Sequence, residues 1–384
     1  MASERSLEQH IAVFGASGSG KTVLLSSFYG ATQEPAFLRR SLFHVVADDI
    51  GQGHRLHRNY LGMRDSSKTP PPNRFKGSTS SFSLRFKQMD PKARHFDAVR
   101  LVWHDYPGEW FENDVSGPEE ERRRVETFRV LLQSDVALLL VDGARLQEHA
   151  GEEGRYLREL FSMYRNGLLT LKDQLLDDGK RLTRFPRIWM MALSKADLVP
   201  WMDVFAFRDL LVAEASEDIE ALRQVLMQFA EAGEAMSVGE DFVLLSSARF
   251  GSSRIEVTQR VGIDLVLPIA AILPFERHTR WAQAGVLPRK VAEDLVSRAG
   301  ALAAVLGFVL KIKPPGPLGV LVGLVGTVLT EKMLNDVAAM AIERIKEANA
   351  RALARKDFLA AALNRFRLDL DEGERERVML RSQR

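Results

Sequence analysis

Short, uniformly apolar runs alternate along the chain with longer stretches in which apolar residues recur every three or four positions. The runs fall at residues 11–14, 99–103, 136–141, 187–193 and 242–245. Each is too short for a buried helix and is bounded by polar or turn-forming residues, so each reads as a strand covered on both faces, with the periodic stretches as covering helices. That alternation predicts an α/β fold with a mainly parallel sheet. Residues 82–86 alternate apolar and polar side chains instead, as a strand does when one face is exposed or it lies at a sheet edge. Ahead of it, a long insertion at about 31–80 carries KTPPPNRFKGSTS, whose prolines and small polar residues predict a mobile loop. After Ala248 the pattern changes. The apolar stretch VGIDLVLPIAAILP is interrupted by Pro268 and Pro274, and long helical periodicity follows from about residue 288. The expected division is an α/β domain over 1–275 and a helical C-terminal region over 276–384.

Composition narrows the possible functions. With 46% hydrophobic and 27% charged residues, 384 positions suffice for a large core. A formal charge of +2 provides no broad basic field, so nucleic acid is not an expected partner. The absence of cysteine excludes disulfides, thiolate metal sites and Cys nucleophiles. The opening MASERSLEQH lacks the basic-then-apolar pattern of a secretory signal, which leads to an expected cytoplasmic location.

The strongest chemical signal is Gly15-Ala-Ser-Gly-Ser-Gly-Lys21-Thr22, which fits G-x-x-x-x-G-K-[ST] between the apolar run IAVF and the helical stretch TVLLSSFY. Glycines allow backbone N–H groups to close around phosphate oxygens, and the helix N-terminus adds its positive end. Lys21 can reach the β and γ phosphates, and Thr22 offers a hydroxyl to Mg²⁺. Downstream, the run VRLVW leads into His104-Asp105-Tyr-Pro-Gly108, a D-x-x-G in which Asp105 would hold Mg²⁺ and the Gly108 N–H would meet the γ-phosphate. The run RIWMMAL leads into Ser194-Lys195-Ala-Asp197, close to the N/T-K-x-D signature. There the carboxylate accepts guanine N1–H and N2–H₂ while the Lys stem covers the base. Adenine lacks that pair of donors and would leave a buried carboxylate unpaired. Finally, FVLLSSAR puts Ser246-Ser247-Ala248 at the end of another strand.

In this order the motifs make the sequence resemble the TRAFAC class of Ras-like and translation-factor-related GTPases over roughly residues 10–250. The resemblance implies a P-loop G domain, GTP/GDP and Mg²⁺ as ligands, and an unidentified protein effector or regulator. It implies nucleotide contacts from Gly15, Ser17, Gly18, Ser19, Gly20, Lys21, Thr22, Val23, Ser194, Lys195, Asp197, Ser247 and Ala248, the last meeting the guanine carbonyl. It implies Thr22, Thr79 and Asp105 for the metal, and Lys21, Thr79, Gly108 and Glu109 around the γ-phosphate. Thr79 best matches the γ-phosphate-sensing threonine, with Thr69 as second candidate. Two positions depart from the family pattern. Ser194 replaces Asn or Thr, altering a hydrogen bond that ties the base motif to the P-loop. Glu109 stands where many members carry a water-orienting glutamine, and a carboxylate beside a polyanion predicts slow intrinsic hydrolysis. Loop arginines such as Arg64 and Arg74 read as solvated side chains rather than arginine fingers.

Residues 299–330 hold two apolar arms around Lys311, Lys313 and a Pro-Pro-Gly-Pro turn, each too short for a membrane span of about 20 residues. This predicts an apolar hairpin that contacts a membrane peripherally, self-associates, or packs as core. The amphipathic stretch after it reads as core-facing helix, and EEERRRVE at 119–126 as a solvated helix face. His54 and His57 have no third ligand nearby in sequence. Two other functions remain open: an ATP-dependent P-loop enzyme of the kinase type, and a nucleotide-binding scaffold without turnover.

Overall fold

The computed structural model describes residues 7–71, 77–87, 97–112, 115–176, 179–251, 254–286 and 359–382. The apolar runs form β1 (Leu7–Phe14), β4 (Asp97–Asp105), β5 (Val136–Asp142), β6 (Ile188–Ser194) and β7 (Ser237–Leu245), all parallel in the order β4-β1-β5-β6-β7. Three antiparallel strands extend this core: β3 (Ser78–Phe86) and β2 (Phe43–Ala47) beyond β4, and β10 (Met379–Leu380) beyond β7. A short hairpin, β8 (Arg249–Phe250) with β9 (Ile255–Glu256), stands apart. Residues 82–86 do alternate in burial, but β3 is flanked on both sides and the edge strand is β2.

Helices cover both faces. On one, α1 (Lys21–Thr32), α8 (Val266–Gln283) and α9 (359–375) bury Leu24, Phe28, Ile269, Ile272, Leu363 and Phe366 against Ile11, Val13, Leu101 and Trp103. On the other, α4 (Pro118–Leu131), α6 (Glu153–Leu175) and α7 (Val204–Phe229) cover Ala12, Phe14, Leu139 and Trp189. The α6 stripe Leu157, Leu160, Phe161, Tyr164, Leu168 follows the three-and-four spacing that turns one helical face inward. The short α5 (Gly143–Glu148) follows β5 and is capped by Asp142, whose carboxylate accepts from the Ala144 N–H at 2.9 Å.

Several expectations change. The insertion at 31–80 holds α2 (Pro35–Arg40), the edge strand β2 and α3 (Ile50–Ser66), leaving only a loop between Ser66 and Ser78, of which 72–76, including Arg74, lie outside the described residues. Helix α8 runs through Pro268, Pro274 and Phe275. Pro268 sits in its first turn, where a missing N–H costs little. Residues 359–382 belong to the same core and sheet as β1 and β7. The apolar stretch 299–330 lies outside the described residues, and among those described no helix is long and apolar enough to cross a membrane.

Candidate nucleotide site

β1 ends at Phe14, and the turn that follows opens through Gly18 (φ 76°) and Gly20 (φ 91°), left-handed conformations that glycine adopts at no steric cost. Gly20 caps α1, so Lys21, Thr22 and Val23 form its first turn. Ser17, Gly18, Ser19, Gly20, Lys21, Thr22 and Val23 line one cavity with Asp105, Tyr106, Gly108 and Glu109. The P-loop and the D-x-x-G, far apart in sequence, therefore face each other because β1 and β4 are neighbours. Pro70 and Pro71 close the same cavity, which places the loop after Thr69 at its mouth. Thr79 is placed elsewhere: it is paired with His104 in the β3–β4 ladder, its hydroxyl lies 3.1 Å from His104 Nδ1, and it is not among the residues lining the cavity.

The phosphate end is held by contacts within the protein. The Lys21 ammonium donates to the carbonyls of Gly15 (2.7 Å) and Ala16 (3.1 Å) and lies 5.1 Å from the centre of the Tyr106 ring. Burial lowers its pKa, opposed by the carboxylates of Asp105, Glu109 and Glu112. Burial likewise pushes the Asp105 carboxyl up to about 6, against the pull of Lys21. Tyr106 is fully buried; its hydroxyl accepts from the Gly15 N–H at 3.0 Å and lies 3.3 Å from the Gly15 carbonyl. Glu112 accepts from the Ser17 N–H at 2.6 Å. Gly108 fits so closely on the P-loop that a Cβ there would lie 2.4 Å from Ser17 N, so only glycine allows this approach. Ser19 is buried, and its hydroxyl has no partner among the described residues. Tyr106 and Glu112 carry no motif signal of their own; only the fold brings them to the P-loop.

At the base end, Lys195 takes a left-handed conformation (φ 52°) and its ammonium donates to Asp142 at 2.7 Å. Asp142 ends β5 and is buried. Asp197 lies in the turn after β6, with Ser246 Oγ 2.7 Å from its Oδ1 and the Phe250 N–H donating to its Oδ2 at 3.2 Å. Ser246 Oγ is also 2.7 Å from the Ala248 carbonyl. Ser194 donates to the Val141 carbonyl at 3.3 Å, toward β5 rather than the P-loop. Ser247 and Ala248 are buried in the turn beside Asp197. Asp142 and Ser246 thus join the site; an acidic strand end and the first serine of Ser-Ser-Ala were the only traces of them in the sequence.

Some expected surface groups are engaged. Arg64 pairs with Glu34 (2.7 Å) and Asp65 (2.6 Å). Arg124, within the charge run read as solvated, is buried: it donates to the Trp110 carbonyl at 2.7 Å and pairs with Glu120 at 2.6 Å, fixing the turn after Gly108. Among the described residues no cluster of three or more His, Asp or Glu side chains is placed to hold a metal ion.

A P-loop, a D-x-x-G turn and a base-recognition turn at the C-terminal ends of strands in one mainly parallel sheet define a P-loop GTPase. The Double-GTPase 2 family model matches residues 9–238, and the chain belongs to that family. No curated protein sequence matches it. Among solved structures it is similar to a Plasmodium falciparum protein described as nucleolar GTP-binding protein 1, at 12% identity, with 77% of this chain and 98% of that one covered and a TM-score of 0.33. It is also similar to the GTPase-like domain of S. cerevisiae Ski7 bound to GTP, at 13% identity, 63% and 43% coverage and a TM-score of 0.30. Methanosarcina barkeri Roco2 bound to GDP gives 13%, 64%, 46% and 0.22.

Proposed function

We propose that the protein binds GTP and GDP with Mg²⁺ and acts as a switch that hydrolyses GTP slowly. The observation that carries the reading is Asp197. Its carboxylate is oriented by Ser246 and the Phe250 N–H on a turn shared with Ala248, while Lys195 is held beside it by Asp142. A phosphate-only P-loop enzyme has no use for such an arrangement. Mg²⁺ suits the hard oxygen donors of Thr22 and Asp105, which line the cavity with Lys21 and would leave further positions to phosphate and water. When bound, the metal supplies charge neutralisation for the phosphates. Lys21 binds the β and γ phosphates, and the P-loop and Gly108 N–H groups orient them. Glu109, an anion in the same cavity, repels the polyanionic γ-phosphate beside which the attacking water must be positioned, which makes turnover slow. In the same reading the protein works in the cytoplasm and signals to a protein effector through the segments flanking the phosphate end. Residues 299–330 then meet a membrane surface or a second copy.

The test is displacement of a fluorescent guanine nucleotide. GDP and GTP compete far better than ADP and ATP, and Asp197→Asn shifts preference to xanthine nucleotides, which carry an acceptor where guanine has its 2-amino group. Equal competition by adenine and guanine nucleotides rules the reading out. Single-turnover phosphate release then separates a slow GTPase from a scaffold without turnover.

A further inference from the structure

The insertion between α1 and β3 is anchored beside the base end of the site. Tyr60 and Met63 of α3 are buried in a small apolar cluster with Ala248, Ile255 and Val257, so this helix packs on the turn after β7 and on the β8–β9 hairpin. Its fit against α1 is tight: a Cβ on Gly30 would overlap the Tyr60 ring. Packing on two sides holds α3 in place, and the chain that leaves its C-terminus starts from a fixed point.

That chain leaves through Ser67. Ser67 caps the helix in a left-handed conformation (φ 49°, ψ 37°), and the Lys68 N–H returns to the Gly62 carbonyl at 2.9 Å. A Cβ disfavours this backbone region, so serine is held there against its own preference. Its hydroxyl accepts from the Ile255 N–H at 3.1 Å, joining residues 188 positions apart. A few residues on, Pro70 and Pro71 line the phosphate cavity with Lys21 and Thr22. Proline fixes its own φ and keeps the residue before it extended, so the short run from Ser67 to the cavity is stiff and transmits a shift at Ser67 instead of absorbing it. On the other side, Ile255 pairs with Phe250 in the hairpin, and the Phe250 N–H donates to Asp197. One path therefore runs from the mouth of the phosphate cavity through Ser67, Ile255 and Phe250 to the carboxylate at the base end.

We propose that Ser67 is a positioning residue for nucleotide retention: its bond to Ile255 ties the Pro70–Pro71 segment at the phosphate end to the hairpin at the base end, and this tie slows the departure of a bound nucleotide. It rests on reading the site as a nucleotide site, not on which base is selected.

The experiment measures the dissociation rate of labelled GDP from the full chain, chased with excess unlabelled GDP, together with the melting temperature. Ser67→Ala and Ser67→Gly both remove the acceptor, but glycine also relieves the left-handed backbone. Both release GDP about three- to tenfold faster than wild type, the worth of one hydrogen bond, and they do so equally although the glycine variant melts higher than the alanine variant. Ser67→Asn, whose side-chain carbonyl offers an acceptor and which tolerates the left-handed region, keeps the slow release. In hydrogen exchange the Ile255 amide is protected in wild type and in Ser67→Asn and loses that protection in the other two. Wild-type release rates in both Ser67→Ala and Ser67→Gly overturn the proposal, as does a glycine variant that retains GDP better than the alanine variant in step with its higher melting temperature, or an unprotected Ile255 amide in wild type. A wild type that retains labelled ADP and not GDP overturns the guanine reading instead, and the same comparison run on ADP decides the role of Ser67.

Discussion

Glu112 occupies a donor that a phosphate needs. Its carboxylate takes the Ser17 N–H, a member of the P-loop cradle, and with Asp105 and Glu109 it surrounds the single ammonium of Lys21 with negative charge. A polyphosphate entering this cavity must displace the carboxylate and meets its repulsion. Glu112→Gln keeps an acceptor but halves the strength of a charge-assisted bond. GDP should therefore bind about fivefold more tightly, roughly 1 kcal/mol, read as a slower dissociation rate of a labelled nucleotide. A variant that binds GDP equally or more weakly contradicts this account. His104 yields a prediction in acid. Burial, with His10 beside it, depresses its pKa to about 3, against about 6.5 in an unfolded chain. Between those values only the unfolded state takes up the proton, so stability falls as pH drops, by about 2 kcal/mol at pH 5. Asp105, raised to about 6, works the opposite way, since the folded state takes its proton first as pH falls below 6. The melting temperature of His104→Gln relative to wild type should therefore rise from pH 7 to pH 5. A constant difference removes His104 from the acid response. Lys21, Thr22, Asp105 and Asp197 were legible in the sequence because each sits in a contiguous motif whose spacing the chemistry imposes. Glu112 and Tyr106 were not, because their partners lie 95 and 91 positions away and only the fold joins them.

The same contrast separates elements. The five parallel strands could be read because burial on both faces demands near-continuous apolar runs. The edge strand β2 was lost in its insertion: only Phe43, Val45 and Ala47 face inward, and α3, which follows it, buries little more than Gly53, Leu56, Tyr60 and Met63. β10 is two residues long and has no pattern to read. It is held by polar contacts. Ser382 N–H and Arg277 meet Asp241 Oδ1 at 2.9 and 2.7 Å, Ser237 donates to Asp241 Oδ2 at 2.9 Å, and both Arg277 and Asp241 are fully buried. Removing one partner of a buried pair leaves the other charged and unpaired, at a cost of about 3–5 kcal/mol. Asp241→Ala should lose that much stability in urea denaturation, and Arg277→Met in the same background should recover part of it. If the double variant is no more stable than Asp241→Ala, the stranded Arg277 charge is not what the single variant loses to.

At the scale of the molecule, the described residues stop at 286 and resume at 359. Both flanks are part of the body that carries the nucleotide site. Ile269, Ile272 and Trp281 of α8 share a core cluster with Leu359, Leu363, Phe366 and Leu370 of α9 and with Ile11 and Val13 of β1. The Arg377 carbonyl accepts from Val204 N–H at the start of α7, and Arg381 pairs with Asp371 and Glu374. The contacts named here are all made among the described residues; residues 287–358, whose sequence includes the apolar stretch 299–330, lie outside them. Replacing 287–358 by a flexible Gly/Ser linker of roughly 20 residues costs only slowly growing loop-closure entropy and removes no contact described for the core. The shortened protein should fold, bind GDP with unchanged affinity and melt within a few degrees of the full chain. Whatever association the full chain shows should disappear with the segment, pelleting with liposomes if lipid covers the apolar stretch and a larger mass in sedimentation if a second copy does. Leu306→Asp with Val322→Asp in the full chain should abolish the same association and leave GDP binding intact. If the shortened protein instead fails to fold, and the double variant unfolds as well, then 299–330 is core packing of this same domain and its cover is neither lipid nor a partner.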